Sequence, residues 1–467
     1  MVEATFQSLA PEVADNCLSQ LPLHDLATVS LSSKTMRALA FPSLYRTVYL
    51  CLASHTKAIS DRIMSENDTT HLRIGAHLQN LVFDDRYDIS NKDNLKFSGA
   101  LACFRMAIPK LKRLSSMSWE SDWLPDNPTD VFETFQLSCP ELRSVSLYIS
   151  SPWFDFRGDL TPDPYSPLPQ AMIDMIRASP DLGSLELDFS DYMVDRLRWS
   201  PDQLCSSLDV TFPNLRVLRM LGATTPDWQL FFEDPEASMY HQFLQRHPKL
   251  HTVSIGWIHE HSWRDFPAES VAALFPSLRH FEGPFFICQA LASSSIAAQI
   301  ESFSALDKIS EGDEMIDLSE YAVDMPNLRS LSLRLEDEEL DGDALTKVLS
   351  LAPGLTKLAV WSVTSEVGDF IDILKHAPNL EELTMPIDKM LDIVQAMGET
   401  SASALIYELA RELPNLQLVH EWSEPELQRR WVISRLGGSG VRVAHVQLVL
   451  EGPLGSPFPI RSEFIEG

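Results

Sequence analysis

Beyond residue 75 the apolar positions fall into one recurring phrase, approximately Pro-x-Leu-x-x-Leu-x-Leu. It starts at Pro109, Pro140, Pro180, Pro213, Pro248, Pro276, Pro326, Pro353, Pro378 and Pro414, with a degenerate first copy at His77 and a weak one from Gln299 to Phe303. Apolar residues two, five and seven places after each proline share one face of an extended segment, while positions four, six and eight alternate to the other. Short amphipathic runs such as Ala171 to Arg177 and Phe370 to Lys375 precede the phrase, and proline ends them. The predicted order is helix, turn, strand. Spacings of mostly roughly 20 to 50 residues predict stacked units rather than the separate domains that length alone would suggest.

The two ends depart from this rhythm. Residues 9 to 46 predict three short helices. Pro11 suits a first turn, with Val13, Cys17, Leu18 and Leu21 on one face until Pro22; Leu23, Leu26 and Val29 follow on a second helix. A third runs from Ser33, a suitable N-cap, through Met36, Leu39 and Ala40 to Pro42. So small a module buries little surface alone, so part of its apolar face is expected to dock elsewhere. At the other end, Glu424 to Leu436 reads as a helix closed by Gly437 and Gly438, and Val441 to Leu450 as a strand. Residues 452 to 467, with three prolines and three glycines, read as a loose tail.

The stretch Leu9-Ala10-Pro11-Glu12-Val13, then Cys17 to Leu26, then Val29-Ser30-Leu31-Ser32-Ser33-Lys34, resembles an F-box, and Arg37 to Leu50 is similar to the F-box exit of fungal-type F-box proteins. Ala10 stands where the family has the proline of its Leu-Pro opening, Cys17 replaces an aliphatic residue, and Ser32 replaces a valine. The resemblance implies binding to a Skp-type adaptor, and through it to cullin, with Leu9, Pro11, Leu18, Leu21, Pro22, Leu26 and Val29 facing the adaptor. The proline-led copies resemble the long, irregular class of leucine-rich repeat, which implies a parallel concave sheet with convex helices. The expected fold is thus α/β: an F-box module over residues 1–50, a repeat solenoid over 51–450 and the tail over 451–467. The function implied is that of a substrate receptor in an SCF-type cullin-RING ubiquitin ligase. The alternative is a repeat scaffold, adaptor-bound or free, with no part in ubiquitination.

Composition narrows the partners. Of 467 residues, 22% are charged, and the net charge of −29 repels phosphate backbones and anionic lipid, so neither nucleic acid nor membrane is expected. Six scattered cysteines without CxxC spacing, and a start lacking basic and apolar signal regions, predict a reduced, intracellular protein. No GxSxG, GxxxxGK[ST], HExxH or strand-borne GxGxxG occurs, so no enzyme activity and no cofactor are expected. The acidic run from Glu336 to Asp343 fails as a calcium loop because Val348 occupies the position of the bidentate glutamate. His241, His247, His251, His259 and His261 lack zinc-site spacing and read as exposed polar residues.

Recognition has better material. Four long insertions that follow strands carry aromatic anchors: Trp119 and Trp123; Trp153, Phe154, Phe156 and Tyr165; Trp228, Phe231 and Phe232; Trp257, Trp263 and Phe266. Such rings either contact a partner or pack down to hold their own loops. On the open sheet face the alternation exposes Tyr148, Arg219, Arg334 and Trp361 among serines and acids. Tyr148, Trp153, Arg219, Trp228, Trp257, Arg334 and Trp361 are the expected contacts to a protein substrate, since aromatic and arginine side chains dominate interface energetics.

Overall fold

The computed structural model describes residues 11–67, 69, 72–84, 94–121, 128–149, 169–189, 200–222, 226, 228–256, 267–305, 323–333, 342–360, 367–385, 402–421, 427–435, 441–449 and 458–465. It is an α/β chain that divides into two compact units.

The first unit holds residues 1–199 and 203–215. It begins with α1 (Pro11–Ser19), α2 (Leu23–Ser32) and α3 (Lys34–Leu44). Ser33 caps α3 as expected, its hydroxyl accepting from the Met36 amide at 3.1 Å, and α3 continues through Pro42. The chain then enters the sheet sooner than expected: β1 (Thr47–Leu50) pairs in parallel with β2 (Asn80–Asp84). Then follow β3 (Ser116–Ser121), β4 (Ser144–Ile149) and β5 (Ser184–Asp188), all parallel and in sequential order. Helices at Ala53–Ser65, Asn94–Ala107, Pro128–Ser138 and Gln170–Arg177 alternate with the strands. Phe41 of α3 meets His77 edge-on at 6.0 Å, fastening the helical module to the start of β2.

The second unit holds residues 200–202 and 216–467. Its parallel strands are β6 (Val217–Leu221), β7 (Thr252–Ile255), β8 (His280–Gly283), β9 (Ser302–Ala305), β10 (Ser330–Leu333), β11 (Lys357–Val360), β12 (Glu382–Met385) and β13 (Leu418–Glu421). Three antiparallel strands finish it: β14 (Leu427–Arg435), β15 (Val441–Val449) and β16 (Phe458–Ile465). Two expectations are corrected here. Of the segment from Glu424 to Leu436, the described residues Leu427–Arg435 form strand β14 rather than a helix, because Trp431 and Ile433 alternate with Arg430 and Val432 and bury one face against the sheet. The tail contains β16, whose backbone partners lie on β15.

The proline acts through the turn it starts. The carbonyl just before it accepts the amide two places after it, as in Leu182 N to Ser179 O (3.1 Å) and Leu355 N to Ala352 O (3.0 Å), so proline occupies the second place of a β-turn that its fixed φ suits. The strand then begins four residues after the proline. Positions two, five and seven are buried: Leu182, Leu185 and Leu187 in one instance, Leu355, Leu358 and Val360 in another. Fully burying each such side chain contributes about 1.5–3 kcal/mol. Pro109 is the exception. It lies in a 3-10 turn, Ile108–Lys110, and β3 pairs so that Met117 matches Val145, which makes Leu114 rather than Leu111 the counterpart of Leu142.

Candidate functional site

In the helical module Leu18, Leu26 and Ala40 form a buried core, with Val29, Leu39 and Leu44 packed against it. Leu18 and Leu26, expected to face the adaptor, lie within this core, with exposures of 1% and 3%. Helix α1 buries Ala14 and Leu18, so Val13 and Cys17 stand on its open side. Leu21 and Pro22, at the α1–α2 junction, are exposed as expected, and so are Val13, Leu23 and Leu31, the last at 76%. Val29 is half-buried. Pro11 opens α1, and Leu9 lies outside the described residues.

The open face of the sheet is polar and partly self-neutralised. Tyr148 is half-buried on β4, and the register sets it between Glu120 of β3 and Asp188 of β5. Arg219 of β6 reaches across β7 to Glu282 of β8, with Nη1 3.7 Å from Oε2. Lys357 pairs with Glu382 on the next strand at 2.8 Å. Trp153, Trp257, Arg334 and Trp361 lie outside the described residues, as do Trp123, Trp263, Phe266 and the rings of 154–165.

For two of the aromatic residues, Trp228 of the expected substrate contacts and Trp119, the ring packs down instead of standing open to a partner. Trp228 starts a helix, Trp228–Glu233, and is only 4% exposed, because its ring packs against Phe231 and Phe286, each 5.3 Å away, and Phe232 at 6.1 Å. Trp119 lies within β3 and is buried on Phe83 at 4.7 Å. Both rings hold structure together and offer no contact surface.

Of the five histidines, His259 and His261 lie outside the described residues. Among the described residues no group of three or more His, Cys, Asp or Glu side chains is placed to hold one. His247 is buried rather than exposed, its Nδ1 2.6 Å from the Phe243 carbonyl; burial pushes its pKa below the ordinary histidine value against that hydrogen bond. His241 Nδ1 meets the Phe231 carbonyl at 2.9 Å, and burial lowers its pKa likewise.

One feature of the second unit escaped the reading of the sequence. At the N-terminal edge of β6 to β9 lies a cleft of about 670 Å³ lined by Arg216, Lys249, His251, Arg279 and Glu301, with Gln299 and Asn327 at one side. The register that pairs Val217, Thr252 and His280 sets Arg216, His251 and Arg279 side by side, one place before each strand. Arg279 Nη1 holds Glu301 Oε1 at 2.8 Å. The signal is visible only when the proline-led copies are aligned, since all three residues stand three places after a proline.

Among the described residues no helix is long and apolar enough to cross a membrane. No known family model matches the chain, and no curated protein matches it.

Proposed function

We propose that the chain is the substrate receptor of an SCF-type cullin-RING ubiquitin ligase: α1–α3 bind a Skp-type adaptor, and the proline-led, leucine-rich-repeat-like units bind the protein to be ubiquitinated. The observation that carries this reading is the exposure of Val13, Leu21, Pro22 and Leu23 on a module that already has a closed core. Apolar side chains left outside a satisfied core suit a partner surface. They also fall within the stretch whose residues resemble an F-box.

The mechanism needs no catalytic group in this chain. Tethering substrate and ligase raises the effective concentration of substrate lysines near the ubiquitin-conjugating enzyme. On the sheet, Tyr148 between Glu120 and Asp188 suits a substrate surface that carries basic groups.

Co-expression of the full chain with a Skp-type adaptor, followed by size exclusion, tests the reading. A complex that Leu21→Asp with Leu23→Asp abolishes, without change in the circular dichroism of the chain, supports it. A soluble, monodisperse chain that ignores the adaptor overturns it. Adaptor binding without turnover of any bound protein points to the scaffold alternative.

A further inference from the structure

We propose that the outer edge of β16 pairs with β16 of a second copy of this chain, giving an antiparallel twofold dimer. The inference is independent of the receptor reading, since β16 belongs to the second unit and needs no adaptor.

The argument starts from the backbone. β16 ends the strand order with β15 on one side, and among the described residues no strand lies on the other. A strand so placed presents a row of unpaired N–H and C=O groups, a template for another strand. Such edges are commonly blunted by proline, charge or a bulge, and β16 carries all three. Its irregularity lies near its start, where Gln447 matches Arg461 and Leu448 matches Pro459, so that Ile460 falls between the two pairs. From Arg461 to Ile465 the pairing with β15 is regular, and that stretch offers a straight edge.

The order of residues then selects the partner. Two antiparallel copies related by a twofold axis set one residue opposite its own copy, and the positions before it face the positions after it. With Ser462 on the axis, Arg461 of each copy faces Glu463 of the other, and Ile460 faces Phe464. Moving the axis by one residue destroys this match: on Arg461 it sets arginine against arginine, and on Glu463 glutamate against glutamate. Opposite charges directly across a ladder stabilise it, and like charges destabilise it. The two charges that guard the edge against a neutral strand or a slipped copy therefore fit this one register. A strand of another protein would need the same reversed order of charges, so the pattern favours a second copy of this chain. Pairing also prolongs an apolar row, because Phe464 matches Ala444 on β15 and Ile460 of the second copy takes the next place beyond it. Strands β14–β16 of the two copies then form one six-stranded antiparallel sheet.

The test uses the full chain without adaptor, in sedimentation velocity from about 1 to 100 μM, a range that populates a dimer of micromolar Kd. A monomer that converts to a dimer over that range is expected. Arg461→Glu and Glu463→Arg should each raise the dimer Kd about tenfold or more, since each sets like charges opposite one another at two places. Mixing the two variants should restore association, because each strand then meets its opposite in charge; misfolding produces no such rescue. A wild-type chain that stays monomeric throughout, a dimer that ignores both charge reversals, or a mixture that fails to associate overturns the proposal.

Discussion

Leucines of the helical module divide into two sets with opposite expected behaviour. Leu26→Ala removes a side chain from a core whose other buried members are Leu18 and Ala40. Large-to-small substitutions of this kind cost about 2–5 kcal/mol, the sum of lost transfer energy and the cavity left behind. Burial of Leu18 and Leu26 contributes only about 1.5–3 kcal/mol each, so one deletion takes away much of what holds α1–α3 together. At 1.4 kcal/mol per tenfold, the low end of that cost is a roughly thirtyfold increase in opening. By contrast Leu21→Asp with Leu23→Asp alters side chains already more than a third exposed and should change stability by less than about 0.5 kcal/mol per site. Hydrogen exchange read by mass spectrometry on peptides from α1–α3 separates the two. Leu26→Ala should lose protection there while β6–β13 keep theirs, and the Leu21/Leu23 double variant should keep protection yet fail to co-elute with the adaptor. Unchanged protection in Leu26→Ala would refute the assignment of the core. Equal loss in both variants would refute the distinction between core and docking residues.

Other expectations follow from local geometry. Lys110 Nζ donates to the carbonyls of Ile63, Met64 and Glu66 at 3.0, 2.8 and 2.8 Å, closing the helix Ala53–Ser65, so Lys110→Met should destabilise that helix by about 2–3 kcal/mol, read as faster amide exchange in 53–66. Cys17 is exposed on α1, whereas burial pushes the Cys139 thiol up to about 12; mild alkylation should label Cys17 first, spare Cys139 until unfolding, and be blocked at Cys17 when the adaptor is bound. His241, His247, His251 and His420 all sit below the ordinary histidine value, burial being the first cause in each. The unfolded chain therefore binds more protons once pH falls below about 6.5, and the stability of the second unit should be full above that value and decline toward pH 5, as urea titrations at pH 7.5, 6 and 5 would measure.

The repeating part of the fold was legible because proline performs one local task wherever it recurs, and the alternation after it reports burial directly. Where a second force acts, the reading slipped. Pro109 looks like the other prolines, but an extra 3-10 turn shifts its strand by three residues. The segment around Trp431 has glutamate, leucine, glutamine and arginine that favour helix, yet pairing with β13 and β15 makes it a strand, and the alternating Trp431 and Ile433 were the available clue. The proline-rich end concealed Phe458–Ile465, whose pairing depends on β15 rather than on its own composition. Trp228 shows the ambiguity of exposed-looking aromatics: its burial depends on Phe286, far away in sequence. The cationic cleft could not be seen residue by residue, because its members come one from each of several copies.

The doubled hydrogen bonds at the strand starts act as a ruler. After Pro140, Pro213, Pro248, Pro276, Pro326, Pro353 and Pro378 the carbonyl three places on accepts two consecutive amides of the following unit, as Arg329 O does from Thr356 and Lys357 and Glu381 O does from Gln417 and Leu418. One inserted residue between proline and strand would break that fork and turn the buried leucines outward together. The stretch after a strand differs in length from unit to unit, running from Val360 to Pro378 in one case and from Ile149 to Pro180 in another. Insertions and deletions are therefore filtered by position: lineages can lengthen or trim the segments leaving the strands while the approach to each strand stays constant. New binding segments can be spliced into the same places without re-registering the sheet.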